Sequence, residues 1–425
     1  MKVLMFGWEF PPHITGGLGT ACYGMVKGLN HHDLDVIFVV PKAYGDEDSE
    51  VADIVNASDI EIDIYQKKYI DLINNMTYIE VDSSLIPYVG PVEYERYIEK
   101  LQNSEGIIEN PIYRTKYEFR GNYGANLMDE VARYALVASQ IAVDNEFDII
   151  HAHDWLTYSA GVAAKNASGK PLVVHVHATE FDRTGENVNT IVYQLEKAGM
   201  EAADKVIAVS NLTAETVIKK YGIDPNKVVT VHNAVEPSET KGLEKAGKNV
   251  KEKVVTFLGR LTFQKGPEYF VEAAKLILER DKNVRFVMAG SGDLFEKMVK
   301  YVARLGISTH FHFTGFLKGN EVDKMFSLSD VFVMPSVSEP FGIVPLEAMR
   351  LNVPVVISKQ SGVSEVLEYA LKVDFWDVNA MADAIYGLLH YDALYEMCKY
   401  CGKEEILNLK WEKASKKILD VYNSV

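Results

Sequence analysis

Short apolar runs separated by amphipathic stretches set the rhythm of this chain. Residues 3–6, 36–40, 148–150, 172–176, 205–209 and 228–231 read as buried strands. Between the first two, Cys22, Met25, Val26 and Leu29 recur at i, i+3, i+4 and i+7, which predicts a helix over 21–29. The alternation resumes further on, with strands expected at 254–258, 284–288, 310–313, 331–334 and 355–357 and a helical tail from about residue 404. Strands alternating with helices in this way predict α/β sheets with parallel strands.

Two stretches break the rhythm. Residues 42–125 are rich in tyrosine (Tyr65, Tyr69, Tyr78, Tyr88, Tyr94, Tyr97, Tyr113, Tyr117, Tyr123) and in acidic side chains. They read as an insertion with short strands and one helix near 92–101. Its aromatics serve either to pack against the first sheet or to stack on a carbohydrate. Residues 236–252 are polar and without apolar period, as an interdomain linker would be. A chain of 425 residues is also too long for one ordinary core. The expected organisation is an N-terminal domain over 1–236, a second over 250–410, and a C-terminal helix over 411–425 that returns to the first.

Composition narrows the function. Hydrophobic residues make up 48% and charged residues 24%, the values of a globular protein. A net charge of −16 without a local basic patch argues against a nucleic-acid partner. No run reaches the ~18 apolar residues of a membrane span. Residues 1–7, followed by Pro11-Pro12, read as a first strand and not as a signal peptide. Three cysteines, Cys22, Cys398 and Cys401, make no disulfide framework, which points to the cytoplasm. The C-x-x-C pair has no second pair or histidine beside it, so it reads as buried small side chains.

Glycine loops follow several strands. Gly16-Gly17-Leu18-Gly19 lies between the first strand and helix, but the third glycine of a dinucleotide fingerprint is missing. In Gly259-Arg260-Leu261-Thr262-Phe263-Gln264-Lys265-Gly266, two cations five apart either converge on a diphosphate or stand as solvated surface charges. His151-Ala152-His153-Asp154-Trp155 and His175-Val176-His177 end adjacent strands. They lack the spacing of a binuclear metal site, so a packed or ligand-contacting role is expected and no metal. Asn233, after His232, ends another strand. Glu339 and Glu347 bracket a Phe-Gly turn and a helix start, an arrangement suited to sugar hydroxyls beside an anion.

In this order, the motifs resemble the retaining glycosyltransferases of the GT-B fold, above all the starch and glycogen synthases and related group 1 enzymes. The resemblance covers nearly the whole chain outside 42–125. It implies two Rossmann-like, doubly wound parallel-sheet domains facing a central cleft. Glu339 and Glu347 match the family's E-x7-E carboxylates, and Arg260 and Lys265, flanked by Gly259, its diphosphate clamp. Gly16 and Gly17 match the donor loop, and His177 the active-site histidine. By resemblance Glu339 holds sugar hydroxyls with the amides of Phe341 and Gly342, Ile343 belongs to the same substrate-binding loop, and Glu347 holds the ribose. Gly315, Phe316 and Leu317 flank the base, while Asp154 and Asn233 line the cleft. The implied reaction is hexose transfer, most readily of glucose, from a nucleotide diphosphate sugar to a glycan. No cofactor is called for. Two departures stand out: Ile14 replaces a lysine that ADP-glucose-dependent synthases carry, and Gly362-Val363-Ser364-Glu365 is a shortened form of a Gly-Gly-x-x-Glu stretch. Competing readings are transfer to a lipid or small acceptor, a glycan phosphorylase, an NAD-linked oxidoreductase and an inactive carbohydrate-binding protein.

Overall fold

The computed structural model describes residues 1–13, 16–64, 113–121, 126–235 and 251–425. The expected helix at 92–101, most of the tyrosine-rich insertion, Ile14 and all but the last residues of the expected linker lie outside them.

Two parallel sheets carry the chain. The first joins Lys2–Phe6 (β1), Asp35–Val40 (β2), Asp53–Asn56 (β3), Ile149–His153 (β6), Leu172–Val176 (β7), Lys205–Ala208 (β8) and Val228–Thr230 (β9) in the order β3-β2-β1-β6-β7-β8-β9. Between β3 and β6 in sequence, Glu61–Ile64 (β4) and Tyr113–Lys116 (β5) form an antiparallel pair. The second sheet joins Lys253–Leu258 (β10), Val284–Ala289 (β11), Phe311–Gly315 (β12), Val331–Met334 (β13), Val355–Ser358 (β14) and Leu371–Val373 (β15) in the order β12-β11-β10-β13-β14-β15. The strand order reverses at β1/β6 in one sheet and at β10/β13 in the other. Such a switch opens a crevice at the C-terminal strand ends, where open α/β sheets bind ligands.

The apolar runs are buried on both faces, because helices cover each side of the sheets. Leu4, Ile150 and Val174 face one apolar layer, while Val3, Ile149 and Val173 face another. The expected 21–29 helix is part of Gly17–Asn30, and Cys22, Met25, Val26 and Leu29 are its buried stripe. The strand expected at 310–313 is shifted: Ser308–His310 form a 3-10 turn and pairing with β11 begins at Phe311, where the ring packs on Phe286.

The tail is not one helix from residue 404. Asp392–Ile406 ends, the chain turns, and Trp411–Tyr422 begins anew. The break is held from outside, by Val235 N–H donating to Leu409 O at 3.1 Å. Trp411–Tyr422 then packs against Gly17–Asn30. Contact is close because Gly24 and Gly28 lack side chains: a Cβ on Gly24 would sit 2.1 Å from Trp411 Nε1, and one on Gly28 2.6 Å from Trp411 O. Ser415 Oγ donates to Met25 O at 3.0 Å within this contact. No helix among the described residues is long and apolar enough to cross a membrane.

Candidate active site

The loop after β10 is built by glycines. Gly259 N–H donates to Ala289 O, Leu261 N–H to Ser291 O and Gly290 N–H to Gly315 O, so the ends of β10, β11 and β12 are laced together. A Cβ on Gly290 would lie 1.9 Å from Gly259 O, and its φ of +133° suits glycine alone. A Cβ on Gly266 (φ +62°) would lie 2.2 Å from Pro335 O, an approach that draws the Phe263–Lys265 turn onto the end of β13.

That approach brings together residues 74 apart in sequence: Lys265 Nζ is 2.5 Å from Glu339 Oε2. Ser336 Oγ donates to the same oxygen at 3.1 Å. The Lys265 stem crosses over Gly259. Arg260 is exposed at the start of this loop and makes no ion pair with a described residue. Glu339 is buried, and its backbone bridges Gln360 O and Gly362 N–H on the neighbouring strand end. Gly342 (φ +96°) turns the chain beside the Glu339 side chain. Phe341 contributes only backbone, since its ring is in the core. Ile343 caps Val344–Arg350, the helix that carries Glu347. Burial raises the Glu347 carboxyl pKa, and Arg350 opposes the shift. Gly315 (φ +72°) ends β12 and leaves Phe316 exposed, with Leu317 packed below it.

Across the crevice, Asp154 sits after β6 with φ +58°, a strained conformation for a side-chain-bearing residue. Its Oδ1 accepts from His177 N–H at 2.6 Å and Ala178 N–H at 3.2 Å, which fixes the loop after β7. Burial pushes its pKa up to about 7, although Arg183 pulls the other way. Arg183 is clamped in turn by Glu196 at 2.9 Å and Glu180 at 3.3 Å, with Tyr221 O–H donating to Glu196.

The four histidines form one buried cluster. His151 and His153 stack at 4.4 Å, His175 and His177 at 4.3 Å, and His153 Nδ1 lies 3.0 Å from His177 Nε2. His151 Nδ1 bonds the hydroxyl of Tyr422 on the returning helix. Burial lowers all four pKa values, to about 3 for His151 and His177, so the rings are neutral at ordinary pH. His177 is half-buried at the mouth of this cluster. Gly16 and Gly17 start the Gly17–Asn30 helix, and a Cβ on either would meet nothing within 4 Å. Asn233 is buried just past β9.

The two sheets are joined through these loops. Glu365 accepts from Asn211 N–H at 2.9 Å and Leu212 N–H at 2.8 Å, the start of the Asn211–Tyr221 helix, and lies 2.7 Å from His232 Nε2. Ser338 Oγ donates to Asp182 Oδ1 at 2.6 Å. Thr213 Oγ1 donates to Pro340 O at 3.4 Å. Sequence reasoning noted Glu365 only as the end of a shortened Gly-Gly-x-x-Glu stretch, with no role, and gave Asp182 and Ser338 no part. Asp182 carried a local signal, as the third helical residue after Thr179 in a capping box.

The chain matches two family models: "Glycosyl transferases group 1" over residues 238–405 and "Glycosyltransferase Family 4" over residues 102–239. It is 28% identical to an uncharacterized glycosyltransferase of Methanocaldococcus jannaschii, over 99% of this chain and 98% of that protein. It is 33% identical to an alpha-maltose-1-phosphate synthase of Mycolicibacterium smegmatis, over 58% of this chain and 65% of that one. Among solved structures, sucrose-phosphate synthase from Thermosynechococcus elongatus shares the fold, with a TM-score of 0.71 at 17% identity, covering 100% of this chain and 98% of that one.

Proposed function

We infer, for a chain that belongs to the group 1 glycosyltransferases of the GT-B fold, that it moves a hexose from a nucleotide diphosphate sugar to a glycan hydroxyl with retention at the anomeric carbon. The observation that carries this reading is the Lys265–Glu339 contact at the β10/β13 switch, a cation and a hydroxyl-binding carboxylate side by side.

In this reading Arg260 and Lys265 hold the diphosphate, and Glu339 with the Phe341 and Gly342 amides holds the sugar hydroxyls. Glu347 takes the ribose, and the base lies along Gly315, Phe316 and Leu317. Gly16 and Gly17 close over the donor, and His177 stands by the sugar, with Asp154 and Asn233 behind it. The bond between the anomeric carbon and the diphosphate oxygen breaks. The acceptor oxygen joins that carbon on the same face, and its proton passes to the departing phosphate. Negative charge that develops on the leaving group is held by the two cations in a closed crevice.

The donor is read as a glucose nucleotide and the acceptor as an α-glucan, on the strength of the His151–Trp155 stretch. Ile14 in place of lysine favours a second reading, in which another hexose goes to a lipid, a cell-surface glycan or a small acceptor. UDP-glucose, ADP-glucose and GDP-mannose, each offered with glycogen and short maltooligosaccharides, separate the two. The product anomer, read by NMR, tests retention: an inverted product refutes the mechanism.

A further inference from the structure

We propose that Cys22, His153 and His177 form an inhibitory site for a thiophilic divalent ion, zinc in the first instance. One ligand atom from each of the three lies within 4.8 Å of the other two. Cys22 is buried on the inner face of Gly17–Asn30, His153 ends β6, and His177 follows β7. Three elements therefore converge on one point at the floor of the crevice.

The imidazole geometry selects this set. A tetrahedral zinc ion bound at about 2.0–2.1 Å to two nitrogens holds them about 3.3 Å apart, in line with both ring planes. His153 Nδ1 and His177 Nε2 already face each other at 3.0 Å, with centroids 5.2 Å apart and planes inclined at 48°. The alternative set of His151, His153 and His175 is equally compact. Its rings, however, lie closer to parallel, at 25° between His151 and His153, 18° between His151 and His175 and 33° between His153 and His175. Stacked rings cannot both direct a lone pair at one ion.

A zinc–sulfur bond of about 2.3 Å places sulfur about 3.6 Å from each nitrogen, so Cys22 has to move in by roughly an ångström at most. Burial, with the nearby Asp154 and Glu9, raises the Cys22 thiol pKa, so the thiol is protonated until an ion displaces its proton, and the same two carboxyls offset the charge of that ion. Entry is through His177, the half-buried member of the three. On binding, the thiol proton is released to water. The proton shared by the two rings stays on its own ring, at the far nitrogen. His153 Nε2 is buried with no hydrogen-bond partner among the described residues, so it is free to carry that proton. Affinity accordingly falls as pH is lowered.

The inhibitory consequence rests on the proposed place of His177 beside the sugar, because the ion engages its Nε2. Binding itself does not depend on that reading. Cobalt(II) titrated into the full-length protein is expected to give a thiolate-to-cobalt band that zinc abolishes. Cys22→Ala removes the band and raises the zinc concentration needed for half-inhibition by more than the roughly 10–100-fold that an outer-shell change costs. It leaves transfer without zinc intact. Cys22→Ser serves if Cys22→Ala does not fold. The double variant Cys398→Ser/Cys401→Ser retains the band. A band that survives loss of Cys22, or that vanishes with Cys398 and Cys401, overturns the site. A Cys22-dependent band in a protein that transfers no hexose from any donor upholds the site and refutes the proposed function instead.

Discussion

Lys265 Nζ and Glu339 Oε2 are 2.5 Å apart, a pairing of the β10 loop with the β13 loop across the topological switch. A diphosphate that recruits the ammonium competes with Glu339, while sugar hydroxyls can bond the carboxylate at the same time. Under the proposed function, the pair would tie recognition of the leaving group to recognition of the sugar.

Lys265→Ala and Glu339→Gln are each expected to lower turnover by roughly 10²–10³-fold, the cost of one removed charge-stabilising group. Because the two side chains touch, the double variant should lose much less than the product of the single effects. Steady-state kinetics with the preferred donor read both. Strict additivity would mean that the two groups act separately.

Glu365 joins the sheets by accepting from the first amides of Asn211–Tyr221. A carboxylate at a helix start contributes about 0.3–1 kcal/mol, up to about 2 when partly buried. Glu365→Gln should shift the protein toward an open arrangement by a few-fold, up to about thirtyfold at the upper value. The readouts are a larger radius of gyration in solution scattering and a raised KM for the donor. An unchanged scattering profile with unchanged KM counts against a closing role.

The histidine cluster predicts sensitivity to acid. Its four rings have lowered pKa values in the folded protein, so the stability they confer is present above about pH 6.5 and is lost as pH falls toward 3. Asp154, raised to about 7, works in the opposite sense: its contribution is full below about pH 4 and is lost as pH rises to 7. On unfolding over this range the imidazoles take up protons, while the raised carboxyls of Asp154, Glu196 and Glu347 release them. The four imidazoles outnumber the three carboxyls, so stability slopes downward as pH falls below about 6.5. Denaturant unfolding at pH 7, 6 and 5 measures this. His175→Leu should flatten the slope, and it removes two buried ring nitrogens that have no partner among the described residues.

Gly24→Ala and Gly28→Ala each force a methyl into the contact with Trp411 and Ser415. Overpacking of this kind costs about 1–3 kcal/mol. Melting curves should show the loss. Limited proteolysis should cut the last helix sooner, because Trp411–Tyr422 is held by this contact and by the Tyr422–His151 bond.

Most strands of both sheets were legible because residues buried on both faces leave long apolar runs, as at Val36–Val40 and Val331–Val333; the edge strands Asp53–Asn56 and Leu371–Val373 were missed, being short and only partly buried. The inner stripe of Gly17–Asn30 was legible for the same reason, with its 3.6-residue period. Motif spacing marked Lys265 and Glu339 separately. What brings them together is a backbone approach at Gly266 and Pro335, which no spacing of 74 residues encodes. Val235 closing the turn at Leu409 was likewise invisible, since the helical period runs on without regard to a distant carbonyl.

Patterns with a short period, and glycines whose backbone has to bend, are written locally, so the order of residues was enough for the central strands of both sheets, the helix after β1 and the glycine loops. Partners were decided by the tertiary structure. His153 faces His177 because their strands are adjacent in register, and Glu365 reaches Asn211 because two sheets meet at their C-terminal ends. Contacts of that kind depend on distance in space, which a linear order of residues does not contain.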